Sequence, residues 1–129
     1  MKISILLPYK ENFSPEYAGA VSLFVKDTVK ISSFKKNITV FGNTNYKTGF
    51  GIKYNNLNLQ KKFLKSTSEL YIKSFLEGEL KQKSDLIEIH NRPLYVKYIQ
   101  KKLNTNLILY YHNDPLSMSG SISVDDRLF

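Results

Sequence analysis

The sequence predicts an α/β domain: a parallel sheet with helices on both faces. Three observations carry that expectation. Four short, near-continuous apolar runs occupy residues 3–7, 38–41, 86–89 and 107–111. Segments of helical periodicity separate most of them, and each run ends at a proline, glycine or histidine that breaks the pattern. Near-continuous apolar strands are those buried on both faces, and alternation with helices makes a Rossmann-like layout the economical arrangement. At 129 residues and 42% hydrophobic composition the chain fits one core and falls short of two.

Taken in order, Ile3-Ser4-Ile5-Leu6-Leu7 is the first strand, closed by Pro8, which lacks the N–H a further ladder bond would need. After the turn-like stretch 8–15, residues 18–33 place Val21, Phe24, Val25 and Thr28 at helical spacing, with Gly19 near the start. Ile38-Thr39-Val40-Phe41, ending at Gly42, is the second strand. The polar stretch from Asn43 through Gly49, Phe50 and Gly51 reads as a small hairpin or flap. Ser66-Thr67-Ser68-Glu69 has the spacing of a capping box, and Leu70, Tyr71, Phe75 and Leu76 continue it as the apolar stripe of a helix to about Lys81. Strands at 86–89 and 107–111 follow, separated by a helix over 94–103 with Pro93 at its start. The predicted order is β-α-β-(flap)-α-β-α-β, with no internal repeat. Ser123-Val124-Asp125-Asp126 is a further cap-like pattern. It predicts a helix beginning near Val124 that the chain cuts short at Phe129, so that residues 1–129 form one truncated domain; a short tail is the alternative.

Composition removes several function classes. The absence of cysteine excludes a disulfide framework, a thiol nucleophile and a thiolate metal site, and two histidines leave little for an all-protein zinc site. No apolar run approaches the roughly 20 residues that span a bilayer, and the N-terminus lacks the apolar length of a signal peptide. A cytoplasmic chain is the expectation. The net charge is +8, and only Arg92 and Arg127 among 19 basic residues are arginine. Such a surface attracts phosphates on nucleotides, nucleic acid or lipid headgroups without naming any of them.

Ligands of open α/β sheets bind beyond the carboxyl ends of the strands. Three features fall there. Ala18-Gly19 opens the first helix, where a glycine lets a phosphate approach the backbone; neither of the familiar glycine-rich phosphate patterns is present, and a tight turn is the alternative. The other two are the paired motifs His90-Asn91-Arg92-Pro93 and His112-Asn113-Asp114-Pro115, each directly after a strand. Their imidazoles fall on one edge of the sheet, and the adjoining Asn and Asp suit a polyhydroxylated ligand or a diphosphate. Ordinary turn formation is the alternative for each motif. A metal site of His90, His112 and Asp114 lacks a fourth ligand, and its carboxylate lies only two residues from one histidine.

These two strand-end motifs, together with residues 2–8 and Gly19, resemble the N-terminal domain of family-4 glycosyltransferases of GT-B fold, over essentially the whole chain. The resemblance implies one half of a GT-B architecture and a retaining, metal-independent transfer of sugar from a nucleotide-diphosphate donor, with no cofactor beyond that co-substrate. It implies a glycan or lipid-linked acceptor, polysaccharide or lipopolysaccharide biosynthesis, and peripheral contact with the inner face of the membrane. A further C-terminal domain, carrying a Glu-x(7)-Glu motif absent here, would supply most donor contacts, so this chain alone would be inactive. Position by position, Ala18 and Gly19 match the loop at the donor diphosphate, where many members carry Gly-Gly. His112 matches the histidine facing the donor sugar. His90, Asn91, Arg92, Asn113 and Asp114 fall where acceptor contacts are expected, with Arg92 able to pair with an anionic group or with Glu88 or Asp114.

A second class stays open: a stand-alone α/β module binding nucleotide or nucleic acid. The scattered lysines, not gathered with aromatics into one stripe, argue against nucleic acid. A receiver-like or flavodoxin-like signalling domain would need an N-terminal acidic pair and a later lysine, which are not evident.

Overall fold

The computed structural model describes residues 1–44, 49–59 and 64–118. The chain is α/β, and its described residues form one five-stranded parallel sheet and three α-helices. Strand β1 (Ile3–Leu6) leads through α1 (Ala20–Ile31) to β2 (Ile38–Gly42) and β3 (Tyr54–Asn56). Helix α2 (Thr67–Gln82) then leads to β4 (Leu86–His90), and α3 (Pro93–Gln100) to β5 (Asn106–Tyr110). The strand order is β3-β2-β1-β4-β5. The chain thus builds outward from β1 in one direction, returns, and builds outward in the other. The topological switch point lies between β1 and β4.

The sheet has helices on both faces because its strands alternate apolar side chains between two cores. Ile3, Ile5, Leu7, Ile38 and Val40 pack with Phe13 and with Val21, Val25 and Val29 of α1. Leu6, Phe41, Ile87 and Ile89 pack on the other face against Tyr71, Ile72 and Phe75 of α2 and Tyr95, Val96 and Ile99 of α3. Full burial of such a side chain contributes about 1.5–3 kcal/mol, so these two layers supply most of the driving force for the fold.

Each helix starts for a local reason. Ser66 caps α2 by accepting the Glu69 N–H at 3.2 Å, half of the expected capping box. Pro93 opens α3, where its missing N–H costs nothing. Gly19 is the N-cap residue of α1 and offers no side chain to it.

Four expectations need adjustment. The stretch expected as a hairpin or flap contains β3, a parallel edge strand on β2, although residues 45–48 within it lie outside the described ones. Tyr54-Asn55-Asn56 has no apolar run; pairing with β2, continued by the Leu57 N–H to the Gly42 carbonyl at 2.7 Å, makes the strand. Helix α1 begins at Ala20 and buries Val21, Ser22, Val25 and Val29, leaving Phe24 and Thr28 outside. Helix α3 ends at Gln100, short of Leu103. Strand β5 spans 106–110, not 107–111, and as an edge strand of the sheet it alternates between half-buried and exposed. The helix expected near Val124 lies outside the described residues. Among the described residues no helix is long and apolar enough to cross a membrane.

Candidate functional site

Every strand runs the same way, so the segments after β1, β4 and β5 collect at one edge beside the switch point. Asn91 ties two of them together. It adopts a left-handed backbone, φ 56°, which asparagine tolerates better than most residues. Its Oδ1 accepts the His112 backbone N–H at 3.2 Å, its Nδ2 donates to Asn113 Oδ1 at 3.2 Å, and its own N–H donates to the Tyr110 carbonyl at 2.8 Å. The two motifs that the sequence placed on one edge are therefore joined.

The imidazoles meet. His90 Nδ1 and His112 Nε2 are 3.0 Å apart, a hydrogen bond in which one ring donates and the other accepts. His90 is 1% exposed. It stacks on Tyr110, its register partner on β5, with ring centres 4.9 Å apart and planes 3° apart. Phe24 of α1 closes the site over the second ring, 5.0 Å from His112 in an edge-to-face contact. Glu88, two residues earlier on β4 and so on the same face, places Oε2 3.6 Å from His90 Nε2. That nitrogen is buried with no hydrogen-bond partner.

The carboxylate favours the tautomer with its proton on His90 Nε2, leaving Nδ1 to accept from His112 Nε2–H. The Nδ1 of His112, on an exposed residue, is then a bare lone pair available to a ligand hydroxyl. Burial, and then the neighbouring His90, hold the His112 pKa below its ordinary value of 6.5, with Glu11 opposing. His112 is accordingly neutral at pH 7, a hydrogen-bond acceptor rather than a fixed cation.

The N-terminus of α1 is already occupied. Glu11 Oε1 accepts the Ser22 N–H at 2.9 Å, the cap that Gly19 has no side chain to provide. A Cβ on Gly19 would collide with that carboxylate, so the glycine accommodates the close approach of Glu11. The anion at Ala18-Gly19 is one from the chain itself.

Arg92 takes neither ion pair suggested for it. Glu88 faces His90, and Arg92 donates to the Asn91 carbonyl at 2.7 Å and lies beside the Tyr95 hydroxyl. It also lines a cleft of about 240 Å³ with Asn91, Tyr95 and Met118. Asp114 caps the short 3-10 turn Pro115–Ser117, accepting the Leu116 N–H at 3.0 Å, and so performs the turn role open to it. Among the described residues no group of three or more His, Asp or Glu is placed to hold a metal ion, so His90, His112 and Asp114 do not converge as ligands.

Sequence reasoning named Glu88 only as an alternative partner of Arg92, and did not place Glu11, Phe24 or Tyr110 at this site. The alternation Glu88-Ile89-His90 carried a signal for Glu88. Glu11 had none, since its contact depends on how the loop after β1 folds back.

No family model matches the chain, and neither the curated proteins nor the solved structures contain a match to it.

Proposed function

We propose that this chain is the acceptor-side domain of a retaining, nucleotide-sugar-dependent glycosyltransferase of GT-B architecture, acting in cell-envelope or extracellular polysaccharide synthesis. The observation that carries the proposal is the meeting of His90 and His112 at the carboxyl edge of a parallel sheet, beside its switch point. There the neutral His112 orients the donor sugar by accepting from a hydroxyl, and His90 and Glu88 hold its ring in place. Asn91, Arg92, Asn113 and the neighbourhood of Asp114 offer amide and guanidinium groups to a glycan or lipid-linked acceptor. The donor diphosphate comes to Ala18-Gly19 only if the Glu11 carboxylate releases the Ser22 N–H. Nucleotide affinity in this chain is therefore weak, and turnover needs a donor-binding domain.

Calorimetry of the purified chain against a panel of nucleoside diphosphate sugars and short glycans tests the proposal. The expected result is weak, saturable binding to a member of the panel that His112→Ala abolishes. Binding that survives His112→Ala, or none to any member, would remove the glycosyltransferase reading.

A further inference from the structure

The lysines, expected from the sequence to be scattered, gather in part at one edge of the sheet among the described residues. Helices of a parallel α/β sheet end where its strands begin, and that amino edge, opposite the candidate site, gathers the lysines. Lys30 at the end of α1, Lys35 and Lys36 before β2, and Lys53 before β3 line one hollow of about 360 Å³. Lys83, Lys101 and Lys102, all exposed, lie on the same edge just after α2 and α3. Helix dipoles favour cations at helix ends, but Lys35, Lys36 and Lys53 lie on no α-helix. The acids nearby are engaged elsewhere: Asp85 accepts the Lys2 backbone N–H at 2.7 Å, and Asp27 pairs with Lys26 at 2.9 Å.

Two large apolar side chains stand among these lysines. Ile31 is 87% exposed and Phe34 45% exposed, in the run Lys30-Ile31-Ser32-Ser33-Phe34-Lys35-Lys36. Water around an isoleucine so exposed carries a free-energy cost that the fold does not remove. Apolar tips flanked by lysines match the boundary of an anionic bilayer, with the tips among the acyl chains and the ammonium groups at the lipid phosphates. Nucleic acid fits less well. The more exposed tip, Ile31, cannot stack on a base, Phe34 is the one aromatic ring in the run 30–36, and the described arginine, Arg92, lies at the opposite edge.

We propose that the amino edge of the sheet, centred on Ile31, Phe34 and the lysines around them, docks on an anionic lipid surface. The candidate site then faces the water, about 17 Å away at a rise of about 3.3 Å per residue along five-residue strands. The lipid end of an acceptor would not reach that site, whereas an extended glycan would. This docking stands independently of the glycosyltransferase proposal, since its residues lie at the opposite edge.

Vesicle co-sedimentation of the purified chain tests it, with phosphatidylcholine alone and phosphatidylcholine mixed with phosphatidylglycerol. Partition to the anionic vesicles only, weakened by salt, is the expected result. Lys35→Glu with Lys36→Glu should lower partition at least about tenfold, as each lysine near such a surface contributes about fivefold. Ile31→Ser with Phe34→Ser should lower it as well; all four side chains are exposed, and far-ultraviolet circular dichroism checks that each variant folds. Equal partition to both vesicle types, or none to either, would overturn the proposal. So would unchanged vesicle binding by the Ile31 and Phe34 double variant. Tight, salt-steep binding of single-stranded RNA that the lysine variant abolishes, without anionic vesicle binding, would assign the edge to nucleic acid instead.

Discussion

Two polar clusters lie at opposite ends of the sheet, and they handle buried polarity differently. At the amino edge Glu79 of α2 is 2% exposed and makes no ion pair among the described residues, yet its carboxylate is fully engaged. Ser4 of β1 donates to Oε1, Ser84 Oγ donates to the same oxygen at 3.0 Å, and the Ser84 N–H reaches Oε2 at 3.2 Å. Gln82 closes the set on Ser4 at 3.1 Å. The cluster joins β1, the end of α2 and the start of β4, and it leaves nothing over for a ligand. At the carboxyl edge His90 is as deeply buried but keeps Nε2 without a hydrogen bond, and its partner His112, an exposed residue, has its Nδ1 outside the bond between the rings. An unpaired buried polar group costs about 1–3 kcal/mol, so stability alone favours an apolar ring at position 90. The contrast teaches that the first cluster stabilises the fold, while the second holds unused hydrogen-bonding capacity.

That contrast can be broken most forcefully at Glu79. Glu79→Ala leaves the buried Ser84 N–H without its acceptor and, because the Ser4 and Ser84 hydroxyls 2.6 Å apart can satisfy only one of their two protons between them, one hydroxyl proton unpaired; it should cost about 3 kcal/mol. The thermal midpoint should then drop by more than about 10 °C in a differential scan. His90→Phe goes the other way: it removes the orphaned nitrogen, keeps the stack on Tyr110 and should leave the midpoint unchanged or higher, while weakening whatever binds at His112. A midpoint lowered as much as by Glu79→Ala would make His90 structural after all.

A smaller effect separates the clusters by pH. Because the folded state holds the His112 pKa below 6.5, the unfolded chain binds more protons as pH falls through that value. The stability linked to His112 is present above pH 6.5 and is lost as pH falls through its depressed pKa. Urea midpoints measured across this window should show the loss, and His112→Asn should remove that share of the slope. The smallest change is expected from Glu11→Ala. Losing a helix cap costs about 1 kcal/mol, yet the freed Ser22 N–H should strengthen nucleoside diphosphate binding in calorimetry. Weaker binding would instead make Glu11 part of the ligand site.

Much of this was legible in the sequence where short-range pattern decides structure. The apolar runs of β1, β2 and β4, the Ser66 cap and Pro93 at the start of α3 are local signals, and they give the α/β layout with helices on both faces. What depends on distant partners was less legible. Strand β3 exists because β2 offers an edge to Tyr54-Asn55-Asn56, whose own side chains do not call for a strand. The exposed side of β5 reflects its place at the edge of the sheet, which its own apolar run does not announce. At the site, the convergence of His90 and His112 followed from strands ending on one edge. The 3.0 Å bond between their rings depends on register, His90 pairing with Tyr110 so that His112 stands just beyond. The Glu11 cap depends on a loop fold that no periodicity encodes.

The central claim is that His90 and His112 form one hydrogen-bonded unit with a ligand-accepting nitrogen facing solvent. With only two histidines in the chain, a long-range proton–nitrogen NMR spectrum of the imidazoles resolves both without ambiguity. The account predicts that at neutral pH His90 carries its proton on Nε2 and His112 carries its own on Nε2. It also predicts that the His112 Nδ1 signal shifts saturably when a nucleoside diphosphate sugar that the chain binds is added. Two imidazoles with independently averaged tautomers, or a His112 Nδ1 signal unmoved by the whole sugar-nucleotide panel, would contradict it.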